Sequence, residues 1–246
     1  MVGYTSTDAE QGKFLILGAG FEDMNGTMKL NDLVSGVVGV DFGDGTEFKS
    51  TAAQVQIPVS SGNGYNIYYY LNDGWYDNGT TDGDFKPGWC DGFGSLVDVD
   101  ITPGVAFWFK SVPGDASAVI AGVVPEASTD TVSCPVTFAL RANTFPCEIS
   151  INGTQMTSSD IVGVDFGDGT SFKTTAAQLQ VPVSSGNGYN IYYYLNDGWY
   201  DNGTTDGDFK PGWCDGFGSI VDATIPAAQG FWTKGVSGAF TFEFNK

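Results

Sequence analysis

Apolar residues fall along this chain in short runs of β-formers, with glycine-bearing turns between them. In the first half, strands are predicted over residues 13–17, 37–42, 54–59, 65–71, 96–101, 105–110 and 117–124, with another over 131–140. The second half repeats the pattern over 178–183, 189–195, 220–224 and 230–234, and a last strand alternates Phe240, Phe242 and Phe244 with Thr241 and Glu243. Only 28–34 and 158–161 suggest brief helical turns. The strongest strand puts Tyr65, Ile67, Tyr69 and Leu71 on one face, and Tyr68 and Tyr70 on the other. Both faces are therefore apolar enough to contact something, a second sheet or a covering loop. Asp44-Gly45, Asn63-Gly64, Asp73-Gly74 and Asn78-Gly79 are turn signals. Connections this short leave no room for helical crossovers, so the fold expected is all-β, antiparallel and sandwich-like, with long Gly/Asp/aromatic loops.

The pattern occurs twice. Val40-Asp41-Phe42-Gly43-Asp44-Gly45-Thr46 returns as Val164-Asp165-Phe166-Gly167-Asp168-Gly169-Thr170, an offset of 124 residues. Between 39–98 and 163–222, 55 of 60 positions are identical, and 58–95 recurs unchanged as 182–219. Phe14 and Phe21 keep the offset to Phe138 and Phe145, while the residues around them diverge. The organisation expected is two tandem homologous domains: a first β repeat over 1–124, a connecting segment over 125–134 and a second repeat over 135–246.

Charge narrows the partners. With 29 acidic residues against 10 basic and no histidine, the net charge is -19. Nucleic acid is repelled at long range, and no apolar run is long enough for membrane insertion as a helix. Met1-Val2-Gly3-Tyr4 lacks the basic start of a signal peptide. Without histidine, Ser-His-Asp and Cys-His catalysis are excluded within the chain. No pair of carboxylates stands out as an acid and base, so enzyme activity is not expected.

Candidate chemistry collects in the acidic aromatic segment 72–94 and its copy. Residues 72–98 hold six aspartates and one lysine. Asp77, Asp82 and Asp84, with Asp201, Asp206 and Asp208, are candidate oxygen ligands for Ca2+, without the spacing of an EF-hand. Trp75, Tyr76 and Trp89, with Trp199, Tyr200 and Trp213, offer flat apolar surfaces to a glycan or to another protein. Among the four cysteines, Cys134 with Cys147 is the simplest disulfide, and Cys90 with Cys214 would require the duplicated loops to meet. Such bridges favour an extracellular location. Asn25, Asn78, Asn152 and Asn202 satisfy the N-glycosylation pattern, and each also begins an Asn-Gly turn.

The run Gly64-Tyr65-Asn66-Ile67-Tyr68-Tyr69-Tyr70, followed by Pro103-Gly104-Val105-Ala106-Phe107-Trp108-Phe109, resembles tandem all-β repeat domains of secreted or surface-associated bacterial proteins. The second copy matches through 188–194 and Gly230-Phe231-Trp232, with Ala227-Ala228-Gln229 in place of the first copy's turn. The resemblance implies a β fold and a surface location; it carries no established function. The leading expectation is an extracellular structural protein that self-associates through its β modules into filaments or a surface layer. Contact would run head to tail, or by strand addition at an open sheet edge. A carbohydrate-binding protein using the duplicated aromatic loops is the alternative.

Overall fold

The computed structural model describes the chain except residues 1, 23–27, 34–35, 44, 60–63, 78, 80–82, 168, 184–187 and 204–206. The first repeat runs β1 (Val2–Ala9), β2 (Phe14–Gly18), β3 (Met28–Lys29), α1 (Leu30–Leu33), α2 (Phe48–Thr51) and β4 (Gln54–Pro58). It continues with β5 (Tyr65–Tyr76), β6 (Asp84–Cys90), β7 (Asp100–Ile101), β8 (Ala106–Lys110) and β9 (Ala116–Val123). The second runs β10 (Thr129–Cys134), β11 (Ala139–Ala142), β12 (Ile149–Ser150), β13 (Met156–Ser159), α3 (Phe172–Thr175) and β14 (Gln178–Pro182). It closes with β15 (Tyr189–Tyr200), β16 (Asp208–Cys214), β17 (Thr224–Ile225), β18 (Gly230–Lys234) and β19 (Phe240–Asn245).

Each repeat is built on a five-stranded antiparallel sheet, ordered β2-β8-β4-β5-β6 in the first and β11-β18-β14-β15-β16 in the second. A smaller sheet covers one face: β1-β9 in the first repeat and β10-β19-β13 in the second. The tandem sandwich-like all-β fold expected from the sequence is therefore present. In the first repeat Leu17, Val55, Trp89, Phe107 and Phe109 pack against Ala116, Ala118 and Ile120. In the second, Leu179, Trp213 and Phe231 meet Val132, Phe240, Phe242 and Phe244. The opposite face is covered by the short helix, where Phe48 and Ala52 pack on Tyr69, Leu71 and Cys90, and Phe172 and Ala176 on Tyr193, Leu195 and Cys214. This double cover answers the two apolar faces of the tyrosine-rich strand.

Several elements differ from the expectation. Residues 37–42 make only a bridge, from Val40 to Leu71, and 96–101 contribute only β7 and a bridge from Leu96 to Cys90. Residues 131–140 are two strands, parted at Pro135, which has no N–H to continue a ladder. Ser158 and Ser159 lie in strand β13 rather than a helical turn, and α2 and α3 were not anticipated. Most of the acidic segment is a hairpin: β5 runs on through a bulge between Leu71 and Gly74 to pair Trp75 with Phe85 and Tyr76 with Asp84.

The repeats meet along β2 and β8 on one side and β11 and β18 on the other. Ile16, Ala106, Leu140 and Ala142 form a separate apolar cluster there, with Trp108 and Trp232 packed against it. The Trp108 and Trp232 rings lie 6.4 Å apart. Gly18 N–H donates to the Ala228 carbonyl at 2.9 Å, and Ala142 N–H donates to the Gly104 carbonyl at 3.0 Å. At the duplication offset these two bonds are copies of one another, and Trp108 and Trp232 are copies of one residue. The junction is thus a pseudo-two-fold, isologous contact, which closes on itself. Within the chain each repeat's copy of this surface is occupied by the other.

Candidate functional site

Past the bulge, the hairpin carries exposed aromatic side chains. Asn72 and Asp73 sit in the bulge and serve the fold: Asp73 Oδ1 accepts from Phe42 N–H at 2.7 Å, and Asn72 Nδ2 donates to Asp41 Oδ1 at 3.0 Å. Gly74 is required by close approach, because a Cβ there would overlap Cys90 Sγ. Trp75 is then fixed by its backbone, its N–H donating to Gly94 and its carbonyl accepting from Leu96. Its indole packs on Gly83, where a Cβ would strike it.

Trp75, Tyr76, Trp199 and Tyr200 are exposed. Trp89 and Trp213 are not: they are 0% and 1% exposed at the centre of the sandwich cores, out of reach of any surface partner. Among the described residues their indole N–H groups find no hydrogen-bond partner, so packing holds the rings. The sequence reading missed two exposed aromatics in each copy. Phe85 and Phe209, 64% exposed, stand beside Trp75 and Trp199 in the ladder. Phe93 and Phe217 project from tight turns at 87% and 85% exposure. Asp91 Oδ1 holds that turn by accepting from Phe93 N–H at 2.8 Å and Ser95 N–H at 3.0 Å. Gly92-Phe93-Gly94 was the available signal. On the other face of the hairpin, Lys86 Nζ lies 3.7 Å from the centre of the Tyr76 ring, and Lys210 repeats this on Tyr200 at 3.5 Å.

Calcium binding is corrected. Among the described residues no group of three or more carboxylate or thiol side chains is placed to hold a metal ion. The aspartates are spread along the hairpin and spent on backbone donors: Asp77 and Asp201 accept from Gly79 and Gly203 N–H, and Asp84 and Asp208 from Phe85 and Phe209 N–H, all at 2.8 Å. Asp82 and Asp206 lie outside the described residues.

The disulfides are also corrected. Cys90, Cys134, Cys147 and Cys214 are all free. Cys90 and Cys214 each fill the space above a hairpin glycine, in the separate clusters beneath α2 and α3. Cys134 is buried in the second core, and Cys147 lies at its margin against Asn143. Burial pushes the thiols of Cys90 and Cys214 up to about 12, and that of Cys134 up to about 11.

On the outer edge of each hairpin the backbone donors are taken or absent. The outward backbone positions of β6 are Phe85, Pro87 and Trp89. Phe85 N–H is taken by Asp84, Pro87 has none, and Trp89 N–H donates to Asn31 Oδ1 at 2.9 Å. The Trp89 carbonyl accepts from Val97. In β16, Asp208, Pro211, Asn152 and Val221 repeat every part of this arrangement. The Asn152 amide also donates to the Trp213 and Val221 carbonyls, which commits this sequon side chain to the fold. Asn25 and Asn78 lie outside the described residues, and Asn202 donates to the Gly207 carbonyl.

A second feature opens where the repeats meet: a cavity of about 780 Å³ lined by Phe14, Trp108 and Tyr189 with the amides of Gln56 and Gln229. Among the described residues no helix is long and apolar enough to cross a membrane. The chain matches no protein-family profile and no curated protein.

Proposed function

We propose that this chain is a non-catalytic structural protein of a cell surface or secreted layer, self-associating through the aromatic faces of its two hairpins. The observation that carries the reading is the duplicated exposed set Trp75, Phe85 and Phe93 with Trp199, Phe209 and Phe217. In sheet order each set lies on the edge farthest from the junction. One molecule therefore offers two equivalent sticky surfaces, and bivalent units of this kind join into open chains. The occupied or missing donors on the β6 and β16 edges direct a hairpin contact to side chains rather than to backbone. The surface location rests on the resemblance to secreted repeat domains; free buried thiols do not require an oxidising compartment. Electron microscopy and sedimentation of the purified chain test the proposal, with Phe85→Ser/Phe209→Ser as the variant. Wild type is expected to form concentration-dependent oligomers that the variant loses. A strictly monodisperse wild-type monomer at all concentrations would refute it.

A glycan-binding role is the second reading. The junction cavity favours it, because Trp108 and Tyr189 can stack on sugar rings while Gln56 and Gln229 meet hydroxyls. A glycan array followed by Trp108→Ala and Trp75→Ala/Trp199→Ala separates the cavity from the hairpins. No binding at millimolar ligand ends this reading.

A further inference from the structure

We propose that the junction is a heterospecific pairing surface: the first repeat accepts the second, of its own or another chain, and rejects a second copy of itself. Across a two-fold contact a residue near the axis meets its own counterpart. Gly18 meets Ala142 in this way, and Ala106 meets Gly230. At each position one copy carries glycine and the other alanine, and the order is reversed between the two positions.

The space is not neutral about this choice. A Cβ built on Gly18 overlaps the Ala142 methyl, and its next neighbour is the Ala142 Cα at 3.4 Å. One built on Gly230 overlaps the Ala106 methyl and crowds Ile16. Two second repeats would bring Ala142 onto Ala142, and two first repeats would bring Ala106 onto Ala106. An alanine methyl has no rotamer by which to withdraw, so either pairing forces the backbones apart. The bonds from Gly18 to Ala228 and from Ala142 to Gly104 use main-chain groups common to both repeats. Backbone bonds and the apolar cluster thus supply attraction, and the crossed Gly/Ala pairs supply discrimination by steric exclusion. Pairing is confined to first with second, within a chain or between chains exchanging repeats.

Two comparisons on the full chain test it. Gly18→Ala is expected to part the repeats, raising the radius of gyration in small-angle scattering and lowering the Tm. Gly18→Ala with Ala142→Gly is expected to restore both. A double variant that behaves like the single one overturns the proposal. The second comparison also covers the case in which Gly18→Ala does not fold. Leu140→Asp unseats the second repeat's face, and the chain is expected to sediment as a monomer because Ala106 blocks pairing of first repeats. Adding Ala106→Gly removes that block and is expected to give a concentration-dependent dimer. A dimer from Leu140→Asp alone, or none from the pair of substitutions, overturns the proposal.

Discussion

Cys90 and Gly74 show at the residue scale how the strand chemistry is spent. A sulfur fills the space that a side chain would otherwise take, so Gly74→Ala is expected to cost about 1–3 kcal/mol through overpacking. Cys90→Ala in the same chain should recover part of that loss in urea titrations, whereas additive losses would argue against the contact. The thiols themselves are accessible to a direct count. Native protein is expected to label at Cys147 alone, and unfolded protein at all four cysteines without added reductant. Fewer than four would reveal a bridge. Burial also ties stability to pH. Cys90 and Cys214 are raised from 9.0 to about 12, so the folded state holds their protons more tightly than the unfolded chain. That contribution is complete below the unfolded value and is lost as pH climbs toward the folded one. The urea midpoint should therefore hold through neutral pH and fall from about pH 9 upward, in the same direction as the buried Tyr69 and Tyr193. A midpoint unchanged at pH 11 would contradict this assignment.

At the scale of the element, β6 and β16 are edge strands made unreceptive. Alternation brings Phe85, Pro87 and Trp89 to the outer side, and proline there removes the middle donor. Removing the Asn31 amide leaves Trp89 N–H and the Val97 carbonyl unpaired, so Asn31→Ala is expected to destabilise the first repeat by about 1–3 kcal/mol. Asn152→Ala should do the same in the second. Pro87→Val with Asn31→Ala should also open the edge, and fibrillar aggregates binding an amyloid dye would appear where wild type gives none. A dye-negative double variant would show that the edge is guarded in some other way. Element by element, the sequence was most legible where one period ran uninterrupted, as in β4, β8 and β18. It misled where the ladder shifted: the Leu71/Gly74 bulge hid the strand character of Trp75 and Tyr76, and made a hairpin read as a loop.

For the whole molecule, the pseudo-two-fold junction turns two repeats into one body with paired far edges. Association of such bodies must overcome a net charge of -19. Salt shortens the reach of that repulsion, with a Debye length of about 10 Å at 0.1 M and about 3 Å at 1 M. Oligomerisation through the hairpins is therefore expected to strengthen with ionic strength, as read by sedimentation from low to high sodium chloride. Weakening with salt would point instead to charge-paired contacts and count against the aromatic faces.

Strand period, duplication and acidic surface were legible in the order of residues because each depends on neighbours along the chain or on a simple count. Equal composition in the two tryptophans of the hairpin concealed opposite fates: Trp75 lies at the surface and Trp89 in the core. Trp89 packs with Tyr70 and Phe109 in the first core, whereas Trp75 lies past the bulge opposite Phe85. Asn31, 58 positions from Trp89, closes the edge, and Gly18 meets its own copy across the junction. Such pairings depend on how distant strands stack, and local pattern carries no record of that. The tertiary structure alone decided which aromatics face outward, kept the cysteines apart, and set glycine against alanine between the repeats.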